Sequence, residues 1–143
     1  MRNNPKLSVC IPAYEMNGLG ATYLEESFRI LAKQTLDSFE VIVSDQSVND
    51  DVKELCEAWQ GRFHLCHYWN RDGERQASAN INHALERARG AVHKVLFQDD
   101  FILSETALQE IFNAFDGQEA MWLLTGSGIT KDGQTIERPM VPH

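Results

Sequence analysis

Residues 92–100 read VHKVLFQDD, an apolar run that ends on two adjacent aspartates, Asp99 and Asp100. Short runs rich in Val, Leu and Phe are typical of buried β-strands. Neighbouring carboxylates repel each other, and an apolar setting makes their ionised forms costly to keep. A strand that ends in this way therefore predicts a site that needs both charges.

Four other short apolar runs also predict strands, and they are LSVCI at 7–11, FEVIVS at 39–44, FHLCHYW at 63–69 and MWLLT at 121–125. Between the runs, apolar residues recur at i, i+3 or i+4 and i+7, the spacing of an amphipathic helix. The four such stretches start at Leu24, Val52, Ile81 and Leu108. This alternation predicts an α/β fold, with a mostly parallel sheet flanked by helices.

Some element boundaries are also predicted. Thr22 and Glu25 fit a capping box ahead of the first helix, and Ser104 fits the N-cap of the last one. The tail predicts a short hairpin about Asp132-Gly133.

Composition excludes several classes of protein. The 143 residues suit one domain, and the net charge of −8 disfavours nucleic acid as a partner. No apolar run is long enough for a transmembrane helix, and the start of the chain does not resemble a signal peptide. The three cysteines are odd in number and lie in apolar patterns, which favours reduced residues of a cytoplasmic protein.

Parallel sheets bind ligands beyond the carboxyl ends of their strands. The segments predicted to lie there are PAYE at 12–15, SDQS at 44–47, NRDGER at 70–75 and QDD at 98–100. Asp99 and Asp100 could hold a divalent cation, because Mg²⁺ takes one or two carboxylates together with substrate phosphates, and manganese accepts the same ligands. The alternative is that the pair only shapes the turn into the next helix.

Other polar residues at this edge also have two interpretations. Asp45 could accept a hydrogen bond from a ribose or a base, or it could initiate a turn. Tyr14 could lie against a base or pack on the first helix. Segment 71–94 has a local charge of +2, which suits a phosphorylated ligand, although Arg87 and Arg89 also fit a solvated helix face.

Taken in order, these segments resemble the amino-terminal half of a family 2 glycosyltransferase. The matching stretches cover roughly 6–127 and read LSVCIPAYE, FEVIVSDQS, NRDGERQASANINHALERARG and VLFQDD. The resemblance implies the A-type glycosyltransferase fold, a Rossmann-like three-layer α/β/α arrangement, here without the acceptor half. It also implies that residues 1–143 form a single nucleotide-diphospho-sugar-binding domain.

The resemblance further implies site residues by position. Nucleotide-sugar contacts would fall at Pro12, Ala13, Tyr14, Glu15, Asp45, Arg75, Asn82 and Asp99. Within this set Asp45 would hydrogen-bond uracil and Asp99 the ribose, while Asp100 would ligate Mg²⁺ or Mn²⁺. The departures from the family pattern are Gln46 for a second Asp, Ala84 for a Gly, and Gln98 at the first place of D-x-D.

The implied reaction is inverting transfer of a sugar from a UDP-sugar to a hydroxyl of a saccharide or lipid-linked acceptor. It would serve polysaccharide biosynthesis and is compatible with peripheral membrane association. Only 43 residues follow Asp100, so we expect the general base beyond His143 and donor and metal binding within this chain.

Two other functions remain open on the sequence. A nucleotidyltransferase-like enzyme would also place acidic residues on an α/β sheet, but it would usually have a Gly-rich loop where this chain has PAYEMNGLG. A non-catalytic nucleotide-binding or interaction domain derived from a transferase would keep the fold without turnover.

Overall fold

The computed structural model describes residues 4–141, which form two compact units that divide after Asn113. The first unit contains most of the secondary structure. Its elements are β1 (Leu7–Ala13), a 3₁₀ turn (Met16–Gly18), α1 (Gly20–Leu31), β2 (Phe39–Asp45), α2 (Asp51–Ala58), β3 (His64–Trp69), α3 (Ala77–Leu85) and β4 (Val92–Val95). Helix α4 (Ala107–Phe115) follows, and then β5 (Ser127–Ile129) and β6 (Glu137–Met140). Whether the chain is a single domain over residues 1–143 stays a prediction.

The first unit is built on a four-stranded parallel sheet in the order β3-β2-β1-β4. Ala13 lies opposite Asp45, which lies opposite Trp69, so three strands end level with one another. The chain moves outward from β1 to β3 and then returns to the other side of β1 for β4. The strand order therefore reverses between β1 and β4, where sheets of this kind form a ligand crevice.

Helices cover both faces of this sheet. All seven residues of β1 are buried, as expected for a strand with helices on both sides. Helix α3 packs on β1 and β2 through Ala84, against Cys10 and Ile42. Ser44 faces α3, whereas the next residue, Asp45, lies near Cys56 of α2, so α2 covers the opposite face. The predicted three-layer α/β fold is confirmed.

On the α2 face of the sheet, aromatic side chains pack α1 against the end of α2 and the loop between α2 and β3. The ring of Phe28 on α1 lies 5.8 Å from that of Trp59 and 5.6 Å from that of Phe63. Helices α1 and α2 are therefore packed together.

The prediction of a strand at 121–125 is wrong. The structure assigns no strand there, and the side chains of Met121 and Trp122 are 94% and 78% exposed. An apolar run becomes a strand only when another strand pairs with it, and the described residues provide none. The predicted hairpin is confirmed, because β5 pairs antiparallel with β6 and Gly133 in the turn between them has a φ of 74°.

Two helix starts also differ from the prediction. Helix α1 begins at Gly20, ahead of the proposed capping box at Thr22 and Glu25, and Ser104 lies three residues before α4. A Cβ atom at residue 20 would collide with the carbonyl oxygen of Tyr14, so only glycine fits at this position. The start of α1 therefore depends on the close approach of its backbone to the Tyr14 loop. Within the described residues, no helix has the length and apolarity needed to cross a bilayer.

Candidate functional site

Gln98 joins the ends of β1 and β4. Its buried side chain accepts a hydrogen bond from Tyr14 N–H at 2.9 Å and donates to the carbonyls of Tyr14 and Gly20 at 3.0 and 2.8 Å. The backbone bond from Leu96 N–H to the Cys10 carbonyl comes just before it. Gln98 therefore continues the connection after the two strands separate and fixes the loop that carries Tyr14.

Gln98→Glu is expected to destabilise the first unit by about 2 kcal/mol. The carboxylate would still accept from Tyr14 N–H, but it would lose the amide donor and place a charge beside two carbonyl oxygens. Urea unfolding monitored by circular dichroism measures the change. Gln109→Glu is the matched control, because Gln109 is only half-buried on α4 and its amide donates to a side chain of the same helix, Asn113. Equal stability of the two variants would contradict this role of Gln98.

Asp99 and Asp100 come directly after Gln98 in the chain and are exposed. The turn that carries them is fixed by its backbone, since Asp100 N–H donates to the Phe97 carbonyl at 3.0 Å and the Asp100 carbonyl accepts from Ser27 Oγ at 2.6 Å. The pKa of Asp100 is raised by partial burial and by the charge of Asp99, against an opposing effect of Lys94. The turn therefore holds two repelling carboxylates that a cation would stabilise.

The structure gives Asp45 a clear local role. Its side chain is fully buried, with Oδ1 accepting from Ser47 N–H at 2.8 Å and Oδ2 lying 2.8 Å from Nε2 of His67. The bond to Ser47 is the contact of an aspartate that initiates a turn. The hydrogen bond to a base that the resemblance implies stays a prediction.

Glu15 and Arg75, which the sequence analysis assigned to the same site, form an ion pair at 3.1 Å. Glu15 also accepts from Val48 N–H at 3.2 Å. Burial raises the pKa of Glu15, but hydrogen bonds from the backbone and Arg75 outweigh it and hold the pKa below its usual value. The loop after β2 is thereby attached to the loop after β1.

A pocket is formed by the loops after β2 and β3 and is lined by Gln46, Ser47, Val48, Arg71 and Arg75. Both arginines have acidic partners, because Arg71 lies 3.3 Å from Asp50 and Arg75 pairs with Glu15. The guanidinium of Arg71 stacks on the ring of Trp69 at 3.3 Å and donates to the carbonyls of Ser47 and Asn49, both at 2.9 Å. Guanidinium N–H groups beyond these contacts can donate to the oxygens of a phosphate or a carbonyl.

The structure brings the predicted residues after β1, β2 and β4 to one edge of the sheet. Pro12 and Ala13 lie within β1 and are buried, whereas Tyr14 is 46% exposed beside Gln98. Asn82, by contrast, does not follow a strand, since it lies within α3 and is exposed.

Asn80, two residues earlier, makes the contacts that Asn82 does not. Its buried side chain donates to the Ala13 carbonyl at 3.1 Å and accepts from Ser44 Oγ at 2.6 Å and from Asn70 Nδ2 at 3.1 Å. It therefore joins the ends of β1 and β2 to the loop after β3. The sequence contains a signal for it, because Asn80 lies one turn before Ala84 and so belongs to the face of α3 that packs on the sheet.

Arg89 does not belong to a solvated helix face, and that prediction is wrong. Its guanidinium lies 2.7 Å from the fully buried carboxylate of Glu40, which also accepts from Arg89 N–H and Ser8 Oγ, each at 2.7 Å. Burial raises the pKa of Glu40, but these hydrogen bonds outweigh it and lower the pKa. This ion pair, enclosed at Glu40 and half-exposed at Arg89, fixes the chain where it passes from α3 to β4.

A glycosyltransferase family model, described as Glycosyl transferase family 2, matches residues 8–139. The chain belongs to this family. The resemblance noted in the sequence is thus confirmed over nearly the whole chain.

Two curated relatives define the extent of the match. The chain is 31% identical over 101 residues to a GalNAc(5)-diNAcBac-PP-undecaprenol beta-1,3-glucosyltransferase of Campylobacter jejuni, covering 70% of this chain and 31% of that protein. It is 26% identical over 117 residues to the glycosyltransferase GlyG of Streptococcus pneumoniae, covering 80% of this chain and 36% of the relative. The chain therefore spans about a third of the length of these family members.

Solved structures agree with the fold. Residues 1–349 of S. aureus TarS, in complex with UDP, superpose with a TM-score of 0.69 at 25% identity, over 78% of this chain and 32% of that fragment. The mannosyltransferase PcManGT of Pyrobaculum calidifontis, in complex with GDP-Man and Mn²⁺, gives a TM-score of 0.65 at 19% identity, over 91% of this chain and 36% of that one. At this identity the second likeness shows the fold alone.

Proposed function

We propose that this chain is the donor-binding part of an inverting glycosyltransferase, which binds a UDP-sugar together with Mg²⁺ or Mn²⁺. The observation that carries the proposal is the pair Asp99 and Asp100, exposed beside the Tyr14 loop where the strand order reverses. The complete enzyme would transfer the sugar to a hydroxyl of a saccharide or lipid-linked acceptor during polysaccharide biosynthesis.

The other residues at the sheet edge support a nucleoside diphosphate. Tyr14 offers an exposed ring, and the pocket beside Arg71 and Arg75 offers guanidinium N–H donors. TarS, which shares the fold, binds UDP. The free cysteines Cys10, Cys56 and Cys66 support a reducing, cytoplasmic location.

The acidic pair fits a hard divalent cation. Carboxylate oxygens are the ligands that Mg²⁺ and Mn²⁺ prefer, and the described residues contain no cluster of three or more acidic, His or Cys ligands, so donor phosphates would complete the coordination. Asp100 would hold the cation, with Asp99 beside it on the ribose. When bound, the cation supplies positive charge that stabilises the departing diphosphate.

The acceptor step requires a base, and two carboxylates that follow α4, Asp132 and Glu137, are already engaged in local contacts. Asp132 accepts hydrogen bonds from Gln134 N–H, Thr135 N–H and Thr135 Oγ1, which lower its pKa, and Glu137 pairs with Lys131 at 3.2 Å. Both lie in the β5–β6 hairpin, and the lowered pKa of Asp132 makes it a poor proton acceptor. We therefore limit the proposal for this chain to donor and metal binding.

UDP with Mn²⁺ is expected to raise the melting temperature. A ligand at 100 times its Kd stabilises the folded state by about 2.7 kcal/mol, which is roughly 5–10 °C for a domain of this size. Melting curves with UDP, GDP and dTDP, each with Mn²⁺ or with a chelator, measure the effect. The proposal fails if none of the three nucleotides moves the midpoint at millimolar concentration.

A further inference from the structure

Ser27 on α1 contacts the backbone of the turn that carries the two aspartates. Its side chain is buried, and its Oγ donates to the carbonyl of Asp100 at 2.6 Å. A serine inside a helix often returns its hydroxyl to the carbonyl four residues earlier in the same helix. Ser27 instead uses it on a residue that lies 73 positions further along the chain. The hydroxyl therefore fixes the backbone of the turn, while Asp100 itself stays exposed to a ligand.

Helix α1 holds the same turn at a second point. Gln98, directly before the two aspartates, donates to the carbonyl of Gly20 at 2.8 Å. Gly20 and Ser27 are about two helical turns apart, so they lie on the same face of α1. One face of the helix thus supports the acidic segment at its start and at its end.

Further contacts fix the segment that follows the turn. The side chain of Gln34, just after α1, donates to the Ser104 carbonyl at 2.7 Å and accepts from Leu108 N–H at 3.0 Å. The chain between β4 and α4 is therefore held before and after the aspartates. Loss of the Ser27 bond alone should loosen the turn locally, because these other contacts remain.

A fixed turn matters for a cation, because its ligands must already be in place when it binds. Asp99 and Asp100 carry like charges on adjacent residues and repel each other, so a loosened turn would let the two carboxylates move apart. Groups that orient a metal ligand without touching the metal are typically worth about 10–100-fold in metal affinity. The bond from Ser27 has the place of such a group, since it holds the backbone of Asp100 and leaves the carboxylate available.

We infer that Ser27 is a positioning residue of the proposed metal site, which holds the backbone of Asp100 so that the carboxylate is in place for the cation. This inference rests on the proposed function. The alternative is that Ser27 is only a buried hydroxyl with a satisfied hydrogen bond. In that case its loss would change stability but not the response to the cation.

The experiment is a calorimetric titration of UDP, once with Mn²⁺ and once with a chelator. Ser27→Ala removes the hydroxyl, and Ser27→Thr keeps it. Ser8→Ala is the matched control, because Ser8 is also buried and its Oγ donates to Glu40 at 2.7 Å, near the start of β1 and so at the opposite end of the sheet. Circular dichroism melting verifies that each variant is folded and measures its stability.

We expect Ser27→Ala to weaken UDP binding about tenfold with Mn²⁺ and to leave the affinity with a chelator unchanged. Ser27→Thr should restore most of the Mn²⁺-dependent affinity. Ser8→Ala should lower the melting temperature but bind UDP with Mn²⁺ as the wild type does. In an Asp100→Ala background, Ser27→Ala should cause no further loss, because the carboxylate that it positions is already absent.

Three results would overturn the inference while leaving the proposed function standing. They are unchanged binding of UDP with Mn²⁺ by Ser27→Ala, an equal loss with Mn²⁺ and with a chelator, and a further loss in the Asp100→Ala background. If Ser27→Ala does not fold, Ser27→Thr decides, because a folded variant that keeps the hydroxyl and still loses the response to Mn²⁺ contradicts the inference. Absence of Mn²⁺-dependent UDP binding by the wild type would instead defeat the proposed function.

Discussion

Asp100→Ala is expected to weaken metal-dependent binding of UDP at least about 100-fold, or roughly 2.8 kcal/mol. The change removes the carboxylate that would hold the cation, and without the cation the diphosphate meets the remaining charge of Asp99. Asp99→Asn should cost less, because an amide still hydrogen-bonds a ribose hydroxyl. Calorimetric titration of UDP with and without Mn²⁺ measures both effects.

The stability of the same variants separates a metal site from a simple turn. A carboxyl group whose pKa is raised in the folded protein destabilises the fold when it is ionised, and that cost is present at neutral pH. Asp100→Ala should therefore leave the melting temperature of the ligand-free protein unchanged or raise it slightly. Asp72→Ala, in the exposed loop after β3, is the control. If Asp100→Ala lowers the midpoint and Mn²⁺ with UDP does not move that of the wild type, the two aspartates only shape the turn.

Arg89→Ala is expected to reduce the free energy of unfolding clearly more than a surface substitution does. It leaves the enclosed carboxylate of Glu40 without its cation, although the Arg89 side chain itself is 46% exposed and solvent screens part of the loss. Urea unfolding measures the loss. Arg62→Ala is the matched control, because Arg62 is exposed in the loop before β3. Similar stability of the two variants would show that the Glu40 pair contributes little.

The same pair predicts a dependence on pH. Because the pKa of Glu40 is lowered in the folded protein, its stabilising effect is present above the unfolded pKa of about 4.3 and is lost as pH falls through the folded pKa. The wild type should therefore lose stability in acid, and Arg89→Ala should lose less of it over the same range. Unfolding curves from neutral pH down to about pH 3 test this difference.

The sequence predicted the sheet because its inner strands are buried on both faces. Strand β1 is almost continuously apolar, β2 has the apolar centre VIV at 41–43, and the helices between the strands repeat with the helical period. The segment at 121–125 has the same apolar character but forms no strand, because composition does not reveal which strand would pair with it. The start of α1 was missed for a related reason, since it depends on the approach of Gly20 to the Tyr14 carbonyl.

The site was predictable only in part. Residues at the ends of strands could be placed from the strand pattern alone, which located Tyr14, Asp45, Asp99 and Asp100 correctly at the sheet edge. The buried polar contacts could not be placed in this way, because their partners are remote in sequence. Gln98 meets Tyr14 across 84 residues, and Arg89 meets Glu40 across 49.

The position of β1 in the middle of the sheet has a consequence for biosynthesis. One side of β1 can pair as soon as β2 has been made, but the other side waits for β4, and the Gln98 bond closes a separation of 84 residues. At synthesis rates of roughly 5–20 residues per second, this takes roughly 4 to 17 s. During that interval β1 presents an apolar edge with unpaired backbone groups, which is a template for misassociation. Asp99 and Asp100 emerge directly after the strand that ends this exposure, so the proposed donor site is completed only when the sheet is.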